Sequence, residues 1–166
     1  MILGLSTSTY TLLHVLISLI GIGSGVVVLY GLLVAKPLNG ITAVFLISTV
    51  LTNASGFGFP FDHLLPAHVV AIISLVLLTF AIAGKYAFHL QGAWRGTYVV
   101  TAMMAFYLNV FVLIVQLFEK VPALKVLAPK QNEPPFAVSQ LTVLALFVVL
   151  TILAVKKFRV RPAQAA

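Results

Sequence analysis

The chain has 166 residues, of which 61% are hydrophobic and 8% charged, and its formal net charge is +7. Soluble domains are about half apolar and about a quarter charged, so this composition excludes an ordinary soluble protein and indicates an integral membrane protein. The absence of cysteine excludes disulfides, thiolate metal sites and iron–sulfur clusters.

Five apolar runs predict five transmembrane helices, since a spanning helix needs about 20 mostly apolar residues. Backbone groups cannot stay unpaired in lipid and the runs do not alternate with polar residues, which favours helices over a β-barrel. We therefore predict one all-α domain over residues 1–166, a compact bundle of five transmembrane helices. In chain order the helices are expected at residues 10–35, 38–59, 66–86, 94–118 and 136–155.

The second apolar run and the connection after the fourth helix differ from the rest of the predicted bundle. The second run is the least apolar because hydroxyl and amide residues dilute it, so the sequence leaves open whether it spans the membrane or re-enters. The only long connection, "EKVPALKVLAPKQNEPP", follows the fourth helix. Its apolar residues after Pro122 predict a short helix that lies in the membrane interface.

The basic residues lie at the ends of the apolar runs, so they indicate membrane topology rather than a nucleic-acid surface. Cytoplasmic loops are enriched in Lys and Arg, and an external N-terminus places seven of the ten basic residues in the cytoplasm. We therefore expect the N-terminus outside and the C-terminus inside. The seven are Lys36, Lys85, Arg95, Lys156, Lys157, Arg159 and Arg161, and the other three are Lys120, Lys125 and Lys130.

Polar side chains concentrate towards the predicted outer side of every helix. At 1.5 Å per residue, the polar residues of all five helices fall mostly in the outer half of the membrane. Polar groups inside a membrane usually face the bundle interior or a water-filled cavity, so we predict an outward-facing polar pocket. The residues expected to line it are Tyr10, Asn53, Tyr107, Asn109, Gln116 and Gln140. Single amides at such depths also serve as helix-to-helix hydrogen bonds, and this alternative stays open.

The segment "GFGFPFDHLLPAH" contains the densest group of possible metal ligands. Asp62, His63 and His68, together with His14 on the first helix, offer a carboxylate and imidazoles, which divalent transition metals bind. We predict that these four residues hold a metal ion and that pocket amides orient the ligands or bound water. The alternative is a turn at the membrane edge, in which Asp62 accepts backbone N–H bonds.

Two organic cofactors are alternatives to a metal ion. Haem b needs one axial histidine from each of two helices, and His14 and His68 lie at similar predicted depth. A quinone or another amphipathic molecule would instead use aromatic walls and a few polar groups, such as Tyr10 and Tyr107. The cofactor is therefore not identified by the sequence.

A face of small residues follows His14 along the first helix. Ser18, Gly21 and Gly25 share its side of the helix by their spacing of four, seven and eleven residues. Small residues at these positions allow another helix or a flat ligand to approach closely. The face is therefore a predicted packing surface, either within the bundle or towards another membrane protein.

The favoured function is a membrane binding or redox-accessory protein whose outer pocket holds a metal ion or a small cofactor. One alternative is a small transporter or channel subunit for a polar solute or proton. Another is a structural partner that packs its helices into a larger membrane complex or a homo-oligomer. Nucleophile-elbow, phosphate-loop and HExxH motifs are missing, so hydrolase chemistry is disfavoured.

Three segments also carry a resemblance to known proteins. "GFGFPFDHLLPAH", "FYLNVFVLIVQLF" and "PPFAVSQL" resemble segments of small integral proteins of the bacterial inner membrane. The resemblance implies a multi-pass protein in the inner membrane. It implies no site residues.

Overall fold

The chain folds into an all-α bundle in the computed structural model, which describes residues 2, 4–63 and 65–159. This confirms the predicted all-α bundle. Within those residues there are six α-helices, including the short helix predicted after Pro122. They are α1 (Thr7–Leu33), α2 (Asn39–Gly56), α3 (Pro66–Ile82), α4 (Ala93–Lys120), α5 (Pro122–Leu127) and α6 (Pro134–Lys157).

Four helices in the described part of the chain, rather than the predicted five, are long and apolar enough to cross a membrane. They are α1, α3 with its extension to Ala87, α4 and α6. The prediction of a span at residues 38–59 was wrong by this measure, because Asn39, Asn53 and several hydroxyl residues lower the hydropathy of the 18-residue α2. The protein is therefore a multi-pass membrane protein with four candidate spans.

Local sequence signals account for the helix boundaries. Ser6 caps α1, because its Oγ accepts a hydrogen bond from the backbone N–H of Thr9 at 3.1 Å. Proline opens α3, α5 and α6, where its missing N–H costs nothing. α3 continues into a π-helical turn over Ala83–Ala87, and Gly92, with φ of 53°, reverses the chain into α4.

The long helices run antiparallel to their neighbours in sequence, so the bundle has two distinct ends. We call the end where α1, α3 and α6 begin the α5 end and the opposite one the basic end. Tyr10 on α1 bonds Ser55 on α2 at the α5 end, and Lys85 after α3 bonds Asn39 on α2 at the basic end. The basic end carries Lys36, Lys85, Arg95, Lys156, Lys157 and Arg159. Arg161 lies outside the described residues.

α4 is the central helix and packs against all five of the others. Its buried face combines small side chains, such as Ala102 and Ala105, with aromatic rings. Phe106 meets Phe45 of α2 and Phe147 of α6 edge-on, with ring centroids 5.9 and 5.1 Å away. This aromatic layer fills the bundle between its two ends.

Candidate functional site

The loop after α2 and the start of α1 form a groove at the α5 end, with a volume of about 700 Å³. The first half of the "GFGFPFDHLLPAH" segment forms one side of it. The residues that line the groove are Ile2, Tyr10, Leu51, Ala54, Ser55, Phe57, Gly58 and Pro60. Most of its walls are therefore aliphatic or aromatic, with polar groups at Tyr10 and Ser55.

Ser55 is the centre of a small hydrogen-bond network beside the groove. Its carbonyl oxygen accepts bonds from the Tyr10 hydroxyl at 2.7 Å and from the Gly58 N–H at 3.0 Å. Its hydroxyl donates to the carbonyl of Thr52 at 3.1 Å and lies 2.8 Å from Nδ1 of His14. Since the hydroxyl has a single hydrogen, Nδ1 of a neutral His14 must be the donor in that contact. This tautomer leaves Nε2 of His14 with a free lone pair.

His68 has the opposite tautomer, because of its position at the start of α3. Its Nδ1 accepts a hydrogen bond from the backbone N–H of Leu65 at 3.1 Å. The imidazole is buried between Phe57, stacked at a centroid distance of 5.2 Å, and Phe61, at 4.2 Å. With Nδ1 used as an acceptor, the hydrogen of the neutral ring lies on Nε2. Neither nitrogen of His68 then has a lone pair for a metal.

The four predicted metal ligands do not form one cluster in the structure. Among the described residues, no three His, Asp or Glu side chains are close enough together to hold a metal ion. Asp62 and His63 are exposed, and His14 packs against Phe59 at 5.3 Å rather than against His68. An axial haem ligand also needs a free imidazole nitrogen, so the His14 and His68 pair does not fit haem b. Of these two histidines, only His14 keeps a nitrogen lone pair that a metal could use.

Asn109 lies deeper in the bundle than the groove. A Cβ atom at Gly21 would lie 3.2 Å from Nδ2 of Asn109 and 3.3 Å from both the Ser48 and Thr49 hydroxyl oxygens. Nδ2 of Asn109 and Oγ1 of Thr49 are buried without a hydrogen-bond partner in the described part of the chain. Gly21 follows His14 by seven residues, about two helical turns, so this polar contact is about two turns below the groove network.

The other predicted pocket residues lie away from the groove. Gln140 is buried between α6 and α4, where its Nε2 donates to the carbonyl of Phe111 at 3.2 Å. Tyr107 is half-buried on the same side of α4, and Gln116 is exposed. Asn53 donates to the carbonyl of Thr49 in its own helix at 2.7 Å. Of the six predicted residues, only Tyr10 lines the groove.

Several groove residues were not among the predicted site residues. Leu51 and Gly58 were both missed, although the repeated glycine and aromatic residues of "GFGFPF" were a signal for Gly58. A Cβ atom there would collide with the Tyr10 hydroxyl, so the loop can reach Tyr10 only because residue 58 has no side chain. Leu51 carried no such signal, because it resembles every other apolar residue of α2.

The chain was compared with protein-family models, with curated proteins and with solved structures. None of them matches it. The four apolar helices indicate a small polytopic membrane protein, and the resemblance seen in the sequence does not assign it to a family.

The small-residue face of this membrane protein packs inside its own bundle. Gly21 and Gly25 are buried, the first against α2 and α4 and the second against the ring of Phe106. Ser18 is half-buried. The space beside each of the two glycines is therefore filled by other helices of the same chain.

Proposed function

We propose that the protein binds a small amphipathic molecule with a flat polar head, of the quinone class, in the groove at the α5 end. The observation that carries the proposal is the groove itself, about 700 Å³ with apolar and aromatic walls and two polar residues, Tyr10 and Ser55. Small-molecule sites are typically concave, about 300–1,000 Å³ in volume, and combine such walls with a few placed polar groups.

Hydrogen bonds hold the polar side of the groove in place before any ligand binds. Tyr10 is tied to Ser55, Ser55 is tied to His14, and the ring of Phe59 packs against both Tyr10 and His14. A wall that is already ordered does not have to lose side-chain freedom on binding. This arrangement favours a binding site over a flexible surface depression.

The charge distribution supports placing the groove on the outside of a bacterial inner membrane. Six described basic residues lie at the opposite end of the bundle, and cytoplasmic loops are enriched in Lys and Arg. The proposed ligand would then reach the groove from the outer leaflet or from the periplasm.

The earlier alternatives have less support. The rings of Phe45, Phe106 and Phe147 fill the bundle below the groove, which disfavours a path for a polar solute. Gly21 and Gly25 face the protein's own helices, which disfavours their use in binding a partner helix. No three possible metal ligands lie together among the described residues, which disfavours a metal ion.

Titration calorimetry on the purified protein in micelles tests the proposal, with a decyl-substituted benzoquinone as the probe. We expect saturable binding of one molecule per chain and none of decylbenzene, which has the same tail without the carbonyl groups. Tyr10→Phe removes the hydroxyl that orders the wall, so it should weaken binding by up to about tenfold. Leu51→Trp should fill the groove and abolish binding.

Tyr107→Phe is the matched control, because it removes a tyrosine hydroxyl on α4 away from the groove. Absence of saturable binding, or equal weakening by the two Tyr→Phe changes, would refute the quinone site. Elemental analysis and an optical spectrum of the same preparation test the metal and haem alternatives. A stoichiometric metal or a haem absorption band that His14→Ala removes would favour one of those instead.

A further inference from the structure

A second groove, of about 320 Å³, lies on the outside of the bundle between α2 and the end of α3. Its lining is aliphatic apart from one tyrosine, and Ile47 and Leu51 on its wall are exposed. The residues that line it are Ala43, Leu46, Ile47, Val50, Leu51, Ile82 and Tyr86. Ile82 and Tyr86 belong to the candidate span Pro66–Ala87, and an occupant of the groove must be apolar where it touches the aliphatic residues.

A positive charge lies at the basic end of this groove. Lys85 precedes the groove residue Tyr86, and its Nζ lies 5.7 and 5.6 Å from the ring centroids of Tyr86 and Tyr98. Within the described part of the chain, Nζ donates one hydrogen bond, to Oδ1 of Asn39 at 2.9 Å. An ammonium group has three N–H donors, so Lys85 retains capacity to bind an anion beside the groove.

The length of the groove matches one leaflet of a bilayer. Its α2 wall runs from Ala43 to Leu51, eight residues or about 12 Å at 1.5 Å per residue. Half of a hydrocarbon core of about 30 Å is about 15 Å. An acyl chain from the leaflet at the basic end fits a groove of this length.

We propose that an anionic phospholipid binds here, with an acyl chain in the α2–α3 groove and its phosphate at Lys85 and Tyr86. An apolar groove of one-leaflet length ends beside Lys85, which donates one hydrogen bond among the described residues. Lys36, three residues before Asn39, adds a second positive charge near the same end of α2. Leu51 lines both this groove and the quinone groove, but the charged end of the lipid site lies at the opposite end of the bundle from Tyr10 and Ser55.

Native mass spectrometry of the full chain tests the site, with phosphatidylglycerol and phosphatidylcholine of identical acyl chains added to separate samples. We expect the wild-type protein to retain phosphatidylglycerol preferentially. Lys85→Gln should lower phosphatidylglycerol binding by about fivefold, the factor expected for one basic residue near a membrane surface. Lys156→Gln removes an exposed charge at the same end on α6 and should leave the binding unchanged.

Ile47→Trp is a second variant. Ile47 is an exposed residue of the groove wall and takes no part in the Lys85–Asn39 hydrogen bond, so this variant tests the groove separately from the charge. It should fill the groove and lower the binding of both lipids, whereas Ile152→Trp on the exposed face of α6 should not. Equal binding of the two lipids by the wild type, equal losses in the two lysine variants, or unchanged binding in Ile47→Trp would each overturn the proposal. A change of oligomeric state in Ile47→Trp without loss of lipid would also overturn it, in favour of a second copy of the chain.

Discussion

Gly23 and Gly25 lie two residues apart on α1 and have opposite surroundings. A Cβ atom at Gly25 would lie 2.8 Å from two ring carbons of Phe106, whereas nothing lies within 4 Å of a Cβ atom at Gly23. The ring of Phe106 is itself held edge-on by Phe45 and Phe147, so it cannot retreat freely. The close approach of α1 to α4 therefore depends on one glycine and not on the other.

Replacement of each glycine by alanine tests this difference. Gly25→Ala should lower the free energy of unfolding by about 1–3 kcal/mol, because the added methyl group overpacks the core. Gly23→Ala should leave it unchanged or raise it by up to about 1 kcal/mol, since alanine is the better helix former. Detergent-induced unfolding followed by circular dichroism measures both. Equal stability of the two variants would show that the contact with Phe106 does not limit the packing.

His14 and His68 show how the same residue type acquires different chemistry. Both lie near the α5 end, and both contact aromatic rings of the loop after α2. His14 uses Nδ1 as a donor to Ser55 and keeps Nε2 available, whereas His68 uses Nδ1 as an acceptor at the start of α3. A capping bond thus removes His68 from the set of possible ligands, and the sequence does not show that bond.

Among the helices, α2 has its polar residues on the inside. Ser48 and Thr52 are buried and donate to backbone carbonyls of their own helix at 2.7 and 2.9 Å. The exposed positions Val44, Ile47 and Leu51 are apolar. The buried hydroxyl residues therefore account for part of the low hydropathy of α2, while the middle of its outward face is apolar.

The C-terminal end of α6 is held by a residue of α4. The guanidinium of Arg95 donates to the carbonyl of Val155 at 3.4 Å and to that of Phe158. The last carbonyls of a helix have no partner within the helix, and a positive charge there also complements the helix dipole. Arg95 therefore has a structural role at the basic end in addition to its effect on topology.

Substitution of Arg95 tests that role. Arg95→Gln should lower the free energy of unfolding by about 1–3 kcal/mol, because hydrogen bonds from a charged donor are lost. Hydrogen exchange in the last turn of α6 should become faster. Lys156→Gln removes a charge from an exposed position in the same turn and should change the stability by less than about 0.5 kcal/mol. Similar exchange rates in the two variants would show that Arg95 does not cap α6.

At the scale of the whole molecule, charge separates the two ends of the bundle. Six described basic residues lie at the basic end, while Asp62, Glu119 and Glu133 all lie at the α5 end. Positive charge is retained on the cytoplasmic side during insertion. The bundle should therefore insert with its basic end in the cytoplasm.

Single-cysteine labelling checks this orientation, because the natural chain has no cysteine to interfere. Lys125→Cys on α5 should react with an impermeant maleimide added to intact cells. Lys36→Cys should react only after the membrane is permeabilised. The reverse pattern would contradict the predicted orientation, and the reaction after permeabilisation controls for the accessibility of each thiol.

The sequence by itself determined the class of protein, the helical fold and the end of the bundle at which Tyr10, His14 and Ser55 lie. Helices are the simplest way to satisfy the backbone within lipid, and a constant rise of 1.5 Å per residue converts position in a helix into depth. This is why Tyr10 and His14 were correctly expected near the same end as Ser55.

Only the tertiary structure decided which of those residues share a site. Tyr10 faces the groove, Asn109 faces Gly21 about two turns deeper, and Gln140 faces the carbonyl of Phe111 in the α4–α6 interface. The direction in which a side chain leaves its helix relative to the neighbouring helices depends on how those helices pack. In this bundle that packing follows from close contacts between distant residues, such as Gly25 with Phe106, which hydrophobic runs and spacing do not encode.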